Sequence, residues 1–252
     1  MPQNKHITLC SEAVTWAQNC VTWPDPKTLY AVNQFIKNCK NHGNWDLMDR
    51  FWLLGTGTQD NSSVSLINPT STRLTQYGAI TWTQYVGCQA DGSTGHIDTG
   101  YNFLSDAVEV QPENFSAGVW VVQPNTAGSG IDMGTCCGAL CIASHFGSYN
   151  CLVEMNDANV AGYNATPTGL LNGTRTNSTI NNVWVNGANV QTNTTAGSAT
   201  WYGASSNVNI FQYAGVPYYS NAQLFLAYIG SGNMDQVAFY NDCQMLYNRL
   251  NG

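Results

Sequence analysis

The dipeptide Asn186-Gly187 constrains the fold more than any other local feature of this 252-residue sequence. It lies between two β-forming runs, residues 183–185 (Val-Trp-Val) and 188–190 (Ala-Asn-Val). A type I′ turn needs positive φ at both central residues, so Asn-Gly between such runs predicts a tight β-hairpin. Short β-prone runs broken by Gly, Asn, Ser and Pro begin near residue 55, which is typical of a sandwich or jelly roll.

Other stretches predict further elements of this mainly β chain. Residues 223–229 are almost entirely apolar, and residues 116–122 lack the alternation of a half-exposed strand, so both predict buried strands. Residues 157–177 are rich in Gly, Asn and Thr and predict a long loop. The chain is predicted to end in an amphipathic helix that Asn233 caps, with Gln236 as the capping-box partner.

The N-terminal segment, residues 1–24, has weak periodicity and predicts an arm. Its aromatic residues Trp16 and Trp23 are costly to leave in water, so we expect them to anchor the arm to a partner. The alternative is a frayed terminus.

Residues 25–56 predict a helical hairpin that packs on the sandwich. Asp25 precedes Pro26 and is placed to cap the first helix, and Asn44 is placed to cap the second. Residues 57–252 then predict one jelly-roll β-sandwich that includes the C-terminal helix, so that the whole chain forms a single domain.

Three segments carry a resemblance to a known family: the stretch at residues 31–56, the DGSTGHIDTGYNF motif at 91–103, and the closing strand–Ile-Gly-Ser-Gly–helix element. They resemble the concanavalin A-like lectin/glucanase (LamG-like jelly-roll) domains of tailed-bacteriophage virion structural proteins. The resemblance covers about residues 25–252. It implies a concanavalin A-like jelly-roll β-sandwich with an N-terminal helical hairpin and a C-terminal helix.

The resemblance also implies a function. We expect a non-enzymatic structural protein exposed on the phage particle, as a capsid decoration, head fibre or tail component. Its expected partners are other virion proteins and further copies of itself in a homo-oligomer, and its expected location is the virion, assembled in the host cytoplasm and released by lysis. The alternative is a carbohydrate-binding receptor-recognition module of the phage tail that contacts a host surface glycan. A glycan-degrading enzyme is a third hypothesis.

The charge distribution argues against two kinds of partner. Eight Lys and Arg residues face fifteen Asp and Glu residues, for a net charge of −7, and Arg175 is the only Lys or Arg between Arg73 and Arg249. A nucleic-acid site or an anionic membrane surface needs a basic patch. No apolar run reaches the roughly 18 residues of a membrane span. We therefore expect neither nucleic-acid binding nor membrane insertion.

The acidic residues form no local catalytic pair. A retaining glycosidase needs two carboxyl groups about 5 Å apart, as positions i and i+2 of one strand would place them. No two Asp or Glu residues have that spacing, and no histidine lies near a G-x-S-x-G elbow. We therefore expect no catalytic residues and no enzyme, although a carboxylate pair assembled from separate strands stays open.

The cysteines form one cluster, in which Cys136, Cys137, Cys141 and Cys151 surround His145. Its spacing is not that of a zinc finger or ribbon, so we expect structural thiols, with disulfides or a metal as alternatives. The loop acids are too sparse to supply the six or more oxygens that calcium prefers. We expect no metal and no cofactor.

Aromatic residues near the C-terminus are the candidates for sugar contact. A sugar site without a metal needs aromatic rings and neutral hydrogen-bonding groups, and Trp201, Tyr202, Tyr218 and Tyr219 lie among many Asn, Gln and Thr residues. Tyr218 and Tyr219 follow a Gly-Val-Pro segment and predict an exposed loop tip, which makes them the first choice for a carbohydrate or other surface contact. The alternative for Trp201 is a place in the core.

Overall fold

A computed structural model describes residues 8–148, 151–156, 161–163, 167–194 and 196–252, apart from the side chains of Cys137 and Ala161. The described helices are α1 (Ser11–Asn19), α2 (Pro26–Asn41), α3 (Gln59–Ser62) and α4 (Gln236–Asn251). The described strands are β1 (Met48–Leu53), β2 (Thr75–Tyr77), β3 (Ile80–Thr83), β4 (Gly87–Ala90), β5 (His96–Asp98), β6 (Phe115–Gln123), β7 (Met133–Gly134), β8 (Leu140–Ala143), β9 (Cys151–Met155), β10 (Ala161–Tyr163), β11 (Gly169–Asn177), β12 (Ile180–Val185), β13 (Ala188–Asn193), β14 (Asn209–Ile210) and β15 (Gln223–Gly230).

The strands form two antiparallel sheets, which confirms the predicted β-sandwich. The first sheet has the order β13-β12-β11-β6-β15-β4-β3, and β1 also pairs with β15. The second sheet has the order β10-β9-β8-β7-β14-β5-β2. The core between them joins Val119 and Leu171 of the first sheet to Ile142 and Val153 of the second.

The local turn and strand predictions are confirmed where the sequence signal was strongest. Asn186 and Gly187 have φ values of 52° and 75° and connect β12 to β13. Strand β15 is buried along its whole length. In β6, Val119 and Val121 enter the core between the sheets, whereas Trp120 enters a second core on the other face, so this strand is buried on both faces.

The predicted helical hairpin is half wrong. Asp25 caps α2 by accepting a hydrogen bond from the Thr28 N–H, as expected. The second helix is absent from this part of the described chain: a 3₁₀ turn at Trp45–Leu47 leads into strand β1, which pairs with β15. The helix was predicted because Trp45, Met48, Phe51 and Trp52 recur at a spacing that fits one face of a helix. Here Phe51 faces one core and Trp52 the other, an alternation that only a strand provides.

Two other boundaries differ from the sequence predictions. The C-terminal helix begins after Asp235, whose carboxylate accepts hydrogen bonds from the Val237 and Ala238 N–H groups, rather than after Asn233. Residues 169–177, predicted as part of a loop, form the inner strand β11, whereas residues 157–160 and 164–166 of that loop lie outside the described residues. Gly173 allows β11 to pack closely on the second sheet, because a Cβ at this position would lie 2.5 Å from a Val153 methyl group.

The helices cover only one side of the sandwich. Trp16 of α1, Phe35 of α2 and Phe239 of α4 pack with the outward residues of the first sheet in a second hydrophobic core. Helices α1, α2 and α4 therefore form a layer over that sheet, here called the covering layer. Among the described residues, no helix has the length and apolar character needed to cross a bilayer.

Candidate functional site

The outer face of the second sheet, here called the open face, is the surface on which a site can form. In β5, β8 and β9 the alternate residues Ile97, Ile142 and Val153 point into the core. Their neighbours His96 and Asp98 in β5, Cys141 and Ala143 in β8, and Leu152 and Glu154 in β9 therefore point outward. The small apolar cluster on this face contains no residue of the described helices.

A cavity of about 180 Å³ lies on the open face. Its lining is mainly apolar and aromatic, with one carboxylate, and consists of Ile131, Cys141, Phe146, Leu152, Glu154, Tyr213 and Tyr218. Gly134 of β7 makes room for the Tyr213 ring, since a Cβ there would lie 3.1 Å from that ring. The result is an apolar hollow with polar groups at its rim, as small-ligand sites commonly are.

A row of rings extends across this face beside the cavity. His96 stacks on Tyr77 with centroids 4.9 Å apart and an angle of 12° between the planes, and the Tyr219 ring lies 6.0 Å from His96. Next along the chain, Tyr218 packs edge-on against Phe146 at 6.1 Å. We call these five residues, Tyr77, His96, Tyr219, Tyr218 and Phe146, the aromatic row.

The backbone holds Tyr218 and Tyr219 in place. The loop turns tightly where the Val216 N–H donates to the Tyr213 carbonyl at 3.0 Å, and Gly215 has a φ of +80°. The Tyr218 carbonyl accepts a hydrogen bond from the Ile131 N–H. The Ser220 N–H also donates to the Phe211 carbonyl, so the backbone that carries the two rings is ordered before binding, which lowers the entropy cost of binding.

Asp132 supports this loop from inside the protein. Its carboxylate is fully buried and accepts hydrogen bonds from the Ser144 N–H at 2.6 Å and from the Ser220 hydroxyl. Burial raises the pKa of Asp132, and the hydrogen bonds from Ser144 and Ser220 offset only part of that effect. Asp132 thus joins the chain after β8 to the chain that follows Tyr219.

Neutral polar groups lie beside the aromatic row. The Asn207 side-chain amide donates to the Asp98 carboxylate at 3.1 Å, and the Asn209 amide donates to Gln212 at 3.0 Å. Amides and a carboxylate of this kind can exchange hydrogen bonds with hydroxyl groups. The open face therefore combines aromatic rings with neutral hydrogen-bonding groups.

The structure separates the four predicted sugar-contact residues. Tyr218 and Tyr219 lie on the open face, and 45% of Tyr218 is exposed. Tyr202, 51% exposed, lies near the edge of the same face, since a Cβ at Gly138 would be 2.8 Å from Glu154 and 3.1 Å from the Tyr202 ring. Trp201 instead stacks on Phe103 at 4.5 Å and packs against the core, so it is not part of the face.

Three members of the aromatic row were missed by sequence reasoning: Tyr77, His96 and Phe146. They come from separate strands and loops, and no spacing pattern connects them. Only the outward position of His96 could have been predicted, from the residues next to it in the sequence. In His96-Ile97-Asp98 the apolar residue between two polar ones indicates which side chains point outward.

The two arm residues have different environments. Trp16 is fully buried in this chain, and its indole Nε1 donates to the Val64 carbonyl at 3.3 Å. Trp23 is 57% exposed. Of the pair, Trp23 is therefore the one with a surface that a partner could contact.

The cysteine cluster does not form a reactive centre in the described part of the chain. Cys141 lies in the cavity of the open face, whereas Cys151 points into the core. Burial raises the pKa of Cys151 to about 11 and that of Cys141 well above its usual value, which disfavours the reactive thiolate. The eight described cysteines form no disulfide with one another, and the described residues contain no group of three or more His, Cys, Asp or Glu side chains arranged to hold a metal.

No protein-family profile and no curated protein matches the chain. Solved structures do match in fold. A mutant sialidase of Trypanosoma rangeli with trans-sialidase activity matches with a TM-score of 0.57 and 12% identity over 86% of this chain and 39% of its own. Domain 4 of an extracellular GH43 arabinanase from Geobacillus stearothermophilus, in complex with arabinotriose, matches with a TM-score of 0.50 and 15% identity. This match covers 77% of this chain and 97% of the arabinanase domain.

A structure of botulinum neurotoxin type C, which depends on two ganglioside molecules to get into cells, matches with a TM-score of 0.54 and 11% identity over 79% of this chain and 52% of its own. The chain spans about two fifths of the sialidase and about half of the toxin chain. At these identities the likeness shows a shared lectin-like β-sandwich fold.

The prediction that this chain is not an enzyme is contradicted by these structures. Sialidases and an arabinanase domain are among the proteins of similar fold, so the fold is one that glycan-active proteins use. The prediction relied on the spacing of carboxylates along the sequence. In the folded chain the Glu109 N–H donates to the Asp49 carboxylate at 2.8 Å, although the residues are 60 positions apart. Spacing along the chain therefore does not limit which acids meet.

Proposed function

We propose that this protein binds carbohydrate on its open face, through the aromatic row and the adjoining cavity. The observation that carries the proposal is the aromatic row itself. Tyr77 and Tyr218 are each close to half exposed, on the one sheet face that the described helices leave uncovered. Large exposed apolar patches on a protein surface commonly mark a ligand or partner site.

Two further observations support a sugar as the ligand. The rim offers amides and a carboxylate to hydroxyl groups, as described for Asn207 and Asp98. Two structures of similar fold also belong to glycan-recognising proteins, an arabinanase domain with arabinotriose and a toxin that depends on gangliosides.

The test is a glycan array screen with the purified chain, followed by calorimetric titration with the best ligand. Tyr218→Ala should weaken binding about tenfold, because it removes a ring from the centre of the face. Trp23→Ala is the control, since it removes another exposed ring, in the segment between α1 and α2 and outside the aromatic row and the cavity, and should leave affinity unchanged. Absence of binding to any glycan, or equal effects of the two variants, would refute the proposal.

We also propose a setting for this binding. The protein is a component of a tailed-phage virion, on head or tail, where copies assemble with one another and with other virion proteins and the open face meets a host surface glycan. Support comes from the sequence motifs at residues 31–56 and 91–103 and from the contrast between the two sides of the sandwich. Gold-labelled antibody on intact particles tests this setting: label on head or tail supports it, and unlabelled particles would refute it.

A further inference from the structure

The second sheet is built from a part of the sequence that contains no Lys or Arg. The stretches 74–174 and 176–248 lack both residue types, and all seven strands of that sheet fall within them. The loops that join those strands inside these stretches therefore also lack an ammonium or guanidinium group. Only the imidazoles of His96 and His145 can become cationic there.

The basic residues nearest in sequence are directed elsewhere. Arg73, two residues before β2, donates to the Asn19 carbonyl at the end of α1. Arg175 is 1% exposed and donates to the Met155, Asn156 and Ser178 carbonyls. Arg175 is therefore held inside the protein, and Arg73 is directed to the end of α1.

The remaining described basic residues lie with the helical layer or beneath it. Lys40 pairs with Glu12, Lys37 donates to the Thr8 carbonyl, and Lys27 and Arg249 lie over the rings of Tyr85 and Tyr30. Arg50 of β1 is buried and lies over the Tyr101 ring.

Carboxylates, by contrast, are present on the open face. Asp98 lies beside the aromatic row, and Glu154 lines the cavity with Tyr218. A sugar carboxylate or sulfate placed there would meet like charge and no cation, and like charges across an interface are strongly unfavourable.

We propose that the open face selects uncharged glycans and rejects those that carry sialic acid, uronic acid or sulfate. This inference rests on the proposed carbohydrate binding and adds the chemical class of the ligand. Aromatic rings contact the C–H faces of neutral sugars, and the rim amides exchange hydrogen bonds with hydroxyl groups. No Lys or Arg side chain of the strands and loops of this sheet compensates the charge of an acidic sugar.

The experiment uses matched glycan pairs that differ only in charge: neutral galactose-terminated oligosaccharides and the same oligosaccharides capped with sialic acid or sulfate. Titrations are made at low salt and at about pH 8, because histidine is the side chain that normally gains charge between about pH 8 and pH 5. We expect the neutral member of a pair to bind at least about tenfold more tightly. Equal or tighter binding of the charged member would overturn the inference and leave carbohydrate binding intact, whereas no binding by either member, nor by any neutral glycan of the array, would overturn both.

Glu154→Gln tests the role of the local carboxylate. It should reduce the discrimination between the paired glycans about two- to threefold, by strengthening binding of the charged member alone. Asp60→Asn is the matched control, because it removes the same charge from an exposed acid on α3 that belongs neither to the aromatic row nor to the lining of the cavity. Discrimination that is unchanged by Glu154→Gln, or changed equally by the control, would contradict the electrostatic explanation.

Discussion

Aromatic residues have different roles in the covering layer and on the open face, the two sides of the same sandwich. On the first sheet, Phe35, Phe51 and Phe239 pack with ring centroids 4.6 to 6.4 Å apart and are fully buried. On the second sheet, Tyr77 and His96 stack at 4.9 Å, yet Tyr77 stays 48% exposed. Rings buried on all sides stabilise the fold, whereas rings with one free side remain available to a ligand.

The largest expected effect tests the covering layer. Trp16→Ala should lower the free energy of unfolding by about 3–5 kcal/mol, because it leaves a large cavity between α1 and the sheet and removes the hydrogen bond to Val64. Chemical denaturation measures this value. Trp23→Ala, the exposed counterpart, should change it by no more than about 0.5 kcal/mol. Similar values for the two variants would show that α1 does not stabilise the sandwich.

The next effect tests the open face. Tyr219→Ala should weaken glycan binding about tenfold, about 1.4 kcal/mol, because it removes the ring against which His96 packs. Its free energy of unfolding should fall by less than about 1 kcal/mol, since the ring is only partly buried. Calorimetric titration and denaturation of the same sample separate the two quantities. A large stability loss with unchanged affinity would make the aromatic row structural.

A smaller effect tests how the covering layer is attached. Asp25→Ala should lower the free energy of unfolding by about 1 kcal/mol, because it removes the N-cap of α2 and leaves the Thr28 N–H without its acceptor. Asp25→Ser keeps a capping group and should recover most of the loss. Thermal or chemical denaturation at neutral pH measures both variants, and equal stability of the Ala and Ser variants would contradict a capping role.

The smallest effect is a dependence on pH beneath the open face. Burial raises the pKa of Asp132, so its folded-state contribution to stability is complete at low pH and is lost as pH rises through the folded-state pKa. Asp132→Asn cannot ionise and should gain stability relative to the unsubstituted protein as pH rises above the unfolded-state pKa of aspartate, about 4. Denaturation at pH values on both sides of that pKa measures the difference.

Asp91→Asn is the control for this pH dependence, because the pKa of Asp91 is shifted in the direction opposite to that of Asp132. Burial opposes ionisation of Asp91, but hydrogen bonds from the Thr94 and Gly95 N–H groups outweigh it and lower its pKa. The stability that Asp91 contributes is therefore present above its unfolded-state pKa and lost as pH falls. Curves of the same sign for the two variants would contradict this explanation.

The sequence by itself determined those features that depend on residues close together in the chain. The Asn186-Gly187 turn, the Asp25 cap of α2 and the buried strand β15 each follow from a local pattern, because a turn, a cap or an apolar run needs only its own neighbours. The class of the fold followed as well, since repeated short strands with turn signals favour a sandwich.

The tertiary structure alone decided which strands lie inside and which rings meet. Strand β1 was predicted as a helix because its apolar residues have helical spacing, and only the pairing with β15 makes it a strand. Trp16 and Trp23 look alike in sequence, but Trp16 lies on the buried face of α1, whereas Trp23 lies in the segment between α1 and α2 and is exposed. The aromatic row joins Tyr77, His96 and Tyr219, and contacts between residues so far apart are set by strand order and register, which no local pattern encodes.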